Sequence, residues 1–315
     1  MGRISAHIDH LALTQPPEQG MGPGTGNWGL MEASDEAVMY ALIAAAENWL
    51  KEKGMTRVLA PLSLSVWEEP GLLTMGHDLD PLILMGHHNA AYQGWIEAQN
   101  YTTAKRLVTY DVFVRDGLPE LINRIVASGE RNKKLKIRKV EKKHFDRDAA
   151  IIMGLLNDAW SDNWGFVPFS DIQIKHMAGE LKPVIIPDFF WVCEYKGEPA
   201  AFILMIPNVN EAIAGLDGKL LPFGWAKLLY RLKIKGLKTA RIPLMGVKRE
   251  FQRKRAGLAM AAFLSEKVFE KGRERGFTHV EMGWILENNK SMIRIIEQAK
   301  GVPYKTYRMY EKAIS

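Results

Sequence analysis

The 315-residue sequence contains a single cysteine, Cys193, and no long uninterrupted apolar run. One cysteine excludes an internal disulfide and a thiolate metal cluster, and it is typical of a protein from a reducing compartment. Because Cys193 lies in the apolar stretch FFWVCEY, we interpret it as a buried small side chain. No apolar run reaches the length of a membrane span and no signal peptide opens the chain, so we expect a cytoplasmic protein.

Two groups of catalytic motifs are also missing. The eight histidines include neither an H-x-x-x-H pair nor an H-E-x-x-H run, so the sequence predicts no metal site. The nucleophile motif G-x-S-x-G does not occur either. These absences argue against a zinc enzyme and against a serine hydrolase.

The net charge of +6 is unevenly distributed. Residues 1–120 hold 7 Lys and Arg against 15 Asp and Glu, a balance of −8, so the remainder of the chain carries +14. A basic half suits a polyanionic cofactor, and it also suits nucleic acid. Aromatic residues fall mostly in apolar runs and not among the cations, which makes a nucleic-acid partner the weaker interpretation.

The most informative stretch is 241–289. An apolar run ending at Val247 predicts a buried strand, and a short basic loop ending at Gly257 follows it. The next residues alternate apolar and charged positions at helical spacing as far as Gly276, and a second strand comes after them. Strand, loop, helix and strand in this order predict a βαβ unit with parallel strands.

The basic loop lies at the N-terminus of the predicted helix. Free backbone N–H groups and the positive end of the helix dipole make such a place suitable for an anion. We therefore predict a phosphate-bearing ligand there, and a merely solvated basic turn is the alternative. The five cations of the loop are Lys248, Arg249, Arg253, Lys254 and Arg255.

This stretch resembles the acetyl-CoA site of the GNAT superfamily of N-acetyltransferases. Residues 252–257 fit the family's R/Q-x-x-G-x-G/A loop, although Arg255 stands where the first glycine is expected. Residues 289–297 are similar to the family's later N-x-x-A-x-x-L-Y-E segment, with Met292 and Ile296 replacing the alanine and the tyrosine. The resemblance extends from about residue 135 to the end of the chain.

The resemblance implies an α/β fold of two GNAT-like units, each a mixed, partly parallel, twisted sheet flanked by helices. Because the order of predicted elements repeats, we identify the chain as similar to a bacterial tandem member. Residues 1–128 would form a degenerate, N-terminally incomplete unit, and residues 129–315 the acetyl-CoA-binding catalytic unit. The first unit has Glu32, Asp35 and Glu36 at the turn that corresponds to the phosphate loop, and three carboxylates repel an anion.

By the same resemblance, backbone groups of β-strand residues bind the pantetheine arm, and N–H groups of the loop bind the pyrophosphate of acetyl-CoA. Asn289 either bonds the pantetheine or only caps the last helix. The predicted cofactor-binding residues are Met245, Gly246, Val247, Gln252, Arg253, Lys254, Arg255, Ala256, Gly257, Leu258 and Asn289.

Candidate catalytic residues follow from the strand after the helix. Glu281 and Glu287 are six residues apart and share one face of a regular strand, where either can take a proton from an amine; surface ion pairing is the alternative. Because Ile296 replaces the family's tyrosine, Tyr304 and Tyr307 are the candidate acids.

Four residues are candidates for the wall of an acceptor pocket, and core packing is the alternative for at least two of them. They are Asn163, Trp164, Phe166 and Trp284.

The sequence thus favours an N-acyltransferase that moves an acetyl group from acetyl-CoA to an amine of a small molecule or peptide by direct attack, since no activated nucleophile is visible. A homodimer is compatible with this hypothesis. A CoA-binding regulatory or scaffold module without catalysis is the alternative. The segment 208–238 is insertion-like and contains a predicted basic helix, which we expect to pack on the protein and not on a membrane.

Overall fold

The computed structural model of the chain describes residues 1–170, 172–176, 179 and 186–314. A helix predicted over residues 171–181 falls in part outside them. Residues 2–131 contain seven strands and three helices. They are β1 Gly2–His7, β2 Thr25–Ala33, α1 Glu36–Glu52, β3 Arg57–Ala60, β4 Leu62–Ser63, β5 Glu69–Pro70, β6 Leu72–Met75, α2 Ala91–Ala98, β7 Thr102–Phe113 and α3 Glu120–Arg131.

The described residues after 131 repeat this mixture of strands and helices. They contain β8 Leu135–Lys139, α4 Phe145–Trp160, β9 Phe190–Tyr195, β10 Glu198–Pro207, α5 Asn210–Ile213, α6 Gly224–Tyr230, β11 Thr239–Val247, α7 Arg255–Glu274, β12 His279–Leu286, α8 Lys290–Gln298 and β13 Val302–Ala313. The predicted long helix ends as expected, because Gly276 adopts a left-handed conformation with φ of 83° just after it.

Eleven strands form one mixed sheet in the order β1-β2-β3-β13-β7-β12-β11-β10-β9-β8, with β6 paired to β13. The pairs β2–β3 and β11–β12 are parallel, and the other pairs are antiparallel. Each parallel pair is joined by a long helix, α1 or α7. The predicted α/β class and the repeated strand–helix–strand unit are therefore confirmed.

The two halves share the middle of this sheet. Strand β7 of the first half pairs with β12, and β13 of the second half pairs with β3, while β7 and β13 pair with each other. The predicted boundary at residue 128 falls inside α3, which packs against α7. The division into units at that residue stays a prediction.

Candidate functional site

A cleft opens where β11 and β12 separate. The two strands pair only from Thr239 with His279 to Ile242 with Met282. Beyond that point Gly283 has a φ of 152°, and a Cβ there would lie 2.9 Å from Cγ2 of Thr109, so only glycine fits without a shift. The edge of β11 from Pro243 onward is consequently not covered by β12.

This cleft collects most of the predicted cofactor-binding residues. It encloses about 1020 Å³ of empty space including its mouth. The predicted residues in its wall are Met245, Gly246, Val247, Gln252, Arg253, Gly257, Leu258 and Asn289.

The N-terminus of α7 faces this cleft without a side-chain cap. Its N-cap residue, Lys254, makes no capping hydrogen bond, whereas Asp35 at the start of α1 accepts a bond from the Val38 N–H at 2.9 Å. The first turn of α7 therefore keeps its N–H groups available for an anion. In the first turn of α1, by contrast, the Asp35 carboxylate already accepts a hydrogen bond from a backbone N–H.

Four of the five loop cations fall into two groups, and the fifth, Lys248, is partly buried. Arg249 is engaged with the protein, since its guanidinium lies 3.0 Å from the Asp162 carboxylate. Arg253, Lys254 and Arg255 are exposed and form no ion pair with the described part of the chain. These three cations are the ones that can meet phosphates.

Gly257 is required by the loop itself. A Cβ on this residue would lie 2.2 Å from the carbonyl oxygen of Phe251, which belongs to the short 3₁₀ turn Arg249–Phe251. The glycine thus lets this turn pack directly on the first turn of α7. The amide of Gln252 holds the same turn, because its Nε2 donates to the carbonyls of Ala159 at 2.8 Å and Val247 at 3.0 Å.

Two groups that we predicted to contact the cofactor already form hydrogen bonds within the protein. The indole Nε1 of Trp160 donates to the Met245 carbonyl at 3.1 Å. Asn289 caps α8, with its Oδ1 accepting a bond from the Met292 N–H at 3.2 Å. The Asn289 side chain nevertheless borders the cleft, so capping and ligand contact are compatible.

The predicted acceptor-pocket residues separate in the structure. Asn163 and Trp284 border a second pocket at the point of strand divergence, together with Trp160, whose ring centroid lies 6.0 Å from that of Trp284. Trp164 instead packs against Gly20, and Phe166 is buried in a core cluster. Sequence alone does not separate these two pairs, because Asn163, Trp164 and Phe166 stand within four residues of one loop and alternation does not say which of them face the cleft.

The candidate carboxylates are not brought together. Glu281 is 2% exposed, its Oε2 lies 3.9 Å from Nε of Arg241, and neither carboxyl oxygen has a hydrogen-bond partner among the described residues. Burial raises the pKa of Glu281, and Arg241, together with the nearby Thr109 hydroxyl, which lies outside good hydrogen-bond geometry, only partly opposes this shift. Glu287 lies beyond the end of β12, after a register shift between Met282 and Ile285 that breaks the regular alternation.

Glu281 and Tyr304 border a small pocket at the end of β11 and β12 where the two strands still pair. Burial, reinforced by Glu281, raises the pKa of Tyr304 to about 12, so this phenol is a proton donor at neutral pH. The same pocket contains His279 and Asp111, whose side chains meet at 2.7 Å (Nδ1 to Oδ2). The sequence analysis missed this pair, because its members come from β12 and β7 and are 168 residues apart.

Tyr307, the other candidate acid, is 1% exposed and belongs to a core cluster. Burial raises its pKa well above the usual range of a tyrosine. It does not border the pockets described above.

An apolar groove continues from the cleft between α3, α7 and α8. It measures about 500 Å³ when the open solvent at its mouth is included, and it shares wall residues such as Leu258 and Ile295 with the cleft. Its outer walls come from α3, α7 and α8. The residues particular to the groove are Leu118, Ile122, Ile125, Ala262, Ser265, Phe269 and Ala299.

Comparison with solved structures defines the class of fold. A tandem GNAT protein from the clavulanic acid biosynthesis pathway aligns with 94% of this chain and 77% of its own, with a TM-score of 0.54 and 12% identity. A GCN5-related N-acetyltransferase from Sphaerobacter thermophilus aligns with 99% of this chain and 76% of its own, with a TM-score of 0.55 and 10% identity. The chain thus has the GNAT fold, as its sequence motifs predicted.

No family model matches the sequence. Two characterised sequences nevertheless align with the whole chain. The bacterial ceramide synthase of Caulobacter vibrioides is 43% identical over 315 residues, which are 81% of its length. Protein YghO of Escherichia coli K12 is 38% identical over 320 residues, which are 79% of its length. The chain belongs to the family of these two proteins.

Proposed function

We propose that this protein is an N-acyltransferase that takes its acyl group from a CoA thioester and transfers it to an amine. The observation that carries this proposal is the cleft between the diverging strands, which ends at the uncapped N-terminus of α7. The name of the 43% identical relative supports the same reaction class, because a ceramide is an N-acylated long-chain amino alcohol.

The residues at the cleft fit a CoA molecule. The N–H groups of the first turn of α7 would hold the pyrophosphate, and Arg253, Lys254 and Arg255 would add charge. The bound thioester supplies an activated acyl group. Trp160 and Trp284 form an aromatic wall beside the point where the strands diverge.

The amine must lose a proton as it attacks a thioester. The pocket that contains Glu281 and the His279–Asp111 pair lies at the paired end of the same two strands, and Glu281 comes two residues before Gly283, where the strands diverge. We propose that a group of this pocket takes the proton, and that the chain forms no acyl-enzyme. Positioning would then supply most of the rate enhancement.

The apolar groove bears on the length of the acyl chain. An acetyl group, which the sequence analysis favoured, needs no such groove, whereas an alkyl chain would bury its methylene groups against α3, α7 and α8. The relative's name agrees with a lipid product. We therefore propose a donor longer than acetyl-CoA.

The test is a turnover assay with acyl-CoA donors from two to sixteen carbons and a panel of amines that includes a long-chain 2-amino alcohol. Thiol release reports CoA with little background, because Cys193 is buried and burial raises the pKa of its thiol to about 12. We expect the highest kcat/KM with long donors. Release of CoA without an N-acyl product would show thioester hydrolysis and contradict acyl transfer to an amine, whereas binding of CoA without turnover of any pair would support a binding module.

A variant can test whether the acyl chain binds in the groove. Ser265→Phe fills the groove from a part-buried position on α7, so we expect kcat/KM for a long donor to fall at least about tenfold, equivalent to about two buried methylene groups, while acetyl-CoA is unaffected. Ser128→Phe, on an exposed position of α3, is the matched control. Equal effects on short and long donors would show that the acyl chain lies elsewhere.

A further inference from the structure

The segment between β10 and β11 presents apolar side chains to solvent. Within residues 219–238, which we name the exposed segment, eight large apolar residues are between 37% and 80% exposed. Phe223 at 78% and Ile234 at 74% are among the most exposed of them. The eight residues are Leu220, Leu221, Phe223, Trp225, Leu229, Tyr230, Leu232 and Ile234.

The protein holds this segment in place by its other side. Leu228 packs against the main core cluster. The Arg231 guanidinium donates to the carbonyls of Ala212 at 2.9 Å and Ala214 at 2.6 Å. The expectation that the basic helix would pack its apolar face on the protein is therefore wrong, since only part of that face does so.

The charges of the exposed segment have one sign. It contains six Lys and Arg residues and no Asp or Glu. Interfaces between proteins are depleted in lysine, whereas apolar and aromatic side chains interleaved with lysines are typical of segments that lie in the headgroup region of an anionic membrane. Two features thus favour a lipid surface over a protein partner: the surplus of lysine and the absence of any acidic residue.

We propose that the exposed segment docks this protein on an anionic lipid surface, with its apolar side chains in the headgroup region. No helix in the described part of the chain is long and apolar enough to cross a membrane, so the proposed contact is peripheral. This inference goes beyond acyl transfer and does not depend on it, because docking is measured without a donor or an acceptor.

The experiment is sedimentation of the full-length protein with vesicles of phosphatidylcholine alone or mixed with phosphatidylglycerol. We expect at least tenfold tighter binding to the anionic vesicles, weakened as salt is raised. Phe223→Asp/Ile234→Asp should lower this binding at least tenfold. Lys233→Glu/Lys235→Glu should remove the preference for phosphatidylglycerol.

Matched controls lie on other surfaces of the molecule. Leu121→Asp changes a 52% exposed residue of α3, and Lys133→Glu/Lys134→Glu changes two exposed lysines; both should bind vesicles within twofold of the wild type. Equal melting temperatures exclude misfolding as the cause of any loss.

The proposal is overturned if the wild type does not sediment with anionic vesicles, or if the control variants lose binding as much as the segment variants. It is also overturned if sedimentation velocity shows a dimer that Phe223→Asp/Ile234→Asp dissociates, because the face would then be covered by a second copy of the chain.

Discussion

Removing the charge of Glu281 should not destabilise the protein, although Glu281 faces a buried arginine. The carboxylate is 3.9 Å from Nε of Arg241, and its two oxygens accept no hydrogen bond from the described residues. Its desolvation is therefore poorly compensated, and burial raises its pKa above the ordinary value of 4.5. Since the folded state holds this proton more tightly than the unfolded state, stability falls as pH rises from about 4.5 through the raised pKa.

Glu281→Gln mimics the protonated carboxyl and abolishes this loss. Each unit by which folding raises the pKa is worth about 1.4 kcal/mol, so the variant should equal the wild type at pH 5 and exceed it increasingly toward pH 8. Arg241→Met should instead destabilise the folded protein. Arg241 donates to Ile83 and Leu84 at 2.7 and 2.8 Å and to the buried Gly283 carbonyl at 3.0 Å, and losing these bonds should cost roughly 3–6 kcal/mol.

The assay is urea unfolding at pH 5, 6.5 and 8, with stability extrapolated to water. Glu120→Gln, which breaks an exposed ion pair with Arg124, is the matched control and should change stability by less than about 0.5 kcal/mol. A loss of about 3–5 kcal/mol in Glu281→Gln that is nearly the same at pH 5, 6.5 and 8 would refute the reasoning. It would show that the ion pair stabilises the fold and that the pKa of Glu281 is lowered.

Three further predictions concern the site and the two halves. Calorimetry should find one CoA site per chain, which Gly257→Glu abolishes and Asp35→Ala leaves unchanged apart from a stability loss of about 1 kcal/mol; two equivalent sites would contradict the assignment. Tyr304→Phe and Tyr307→Phe should each lower the rate by well under about a hundredfold, because the CoA thiol leaves readily near neutral pH; a larger loss in steady-state turnover with CoA affinity intact would reveal a dedicated acid. Residues 129–315 expressed alone should not fold, because β12 and β13 would lose β7 between them; cooperative unfolding of that fragment by circular dichroism would disprove this.

The loop that we propose as a phosphate site could be located from sequence because it is local. The basic loop, Gly257 and the helix behind it are consecutive, and helix N-termini bind anions for reasons that need no tertiary information. The contrast between the two halves was equally local, since Asp35 lies at the start of α1 and now proves to cap it. Arg255, which departs from the family's glycine, is exposed and is accommodated at the first position of α7.

The proton-transfer part of the site was not predictable in the same way. Regular alternation places Glu281 and Glu287 on one face, but the strand shifts register after Met282 and ends before Glu287. The His279–Asp111 pair depends on the register of β12 against β7, which neither strand specifies by itself. A signal for the groove did exist, because Leu118, Ile122 and Ile125 follow helical spacing along α3.

The exchange of strands between the halves explains why the strand–helix–strand units could be predicted from the sequence, whereas the pairing between the halves could not. Each half has the expected parallel pair, but the strand that follows its short helix, β7 or β13, pairs with the parallel strand of the other half. The order of elements is the same whether the last strand of a half pairs within that half or with the other half. Hydrophobic periodicity therefore does not predict which pairing forms. Because β7 also supplies Asp111 to the pocket beside the cleft, the first half contributes to the candidate site even though its own phosphate turn carries a carboxylate cap. The second half is therefore incomplete without the first, since β12 and β13 both pair with β7 and the pocket around Glu281 includes Asp111 of that strand.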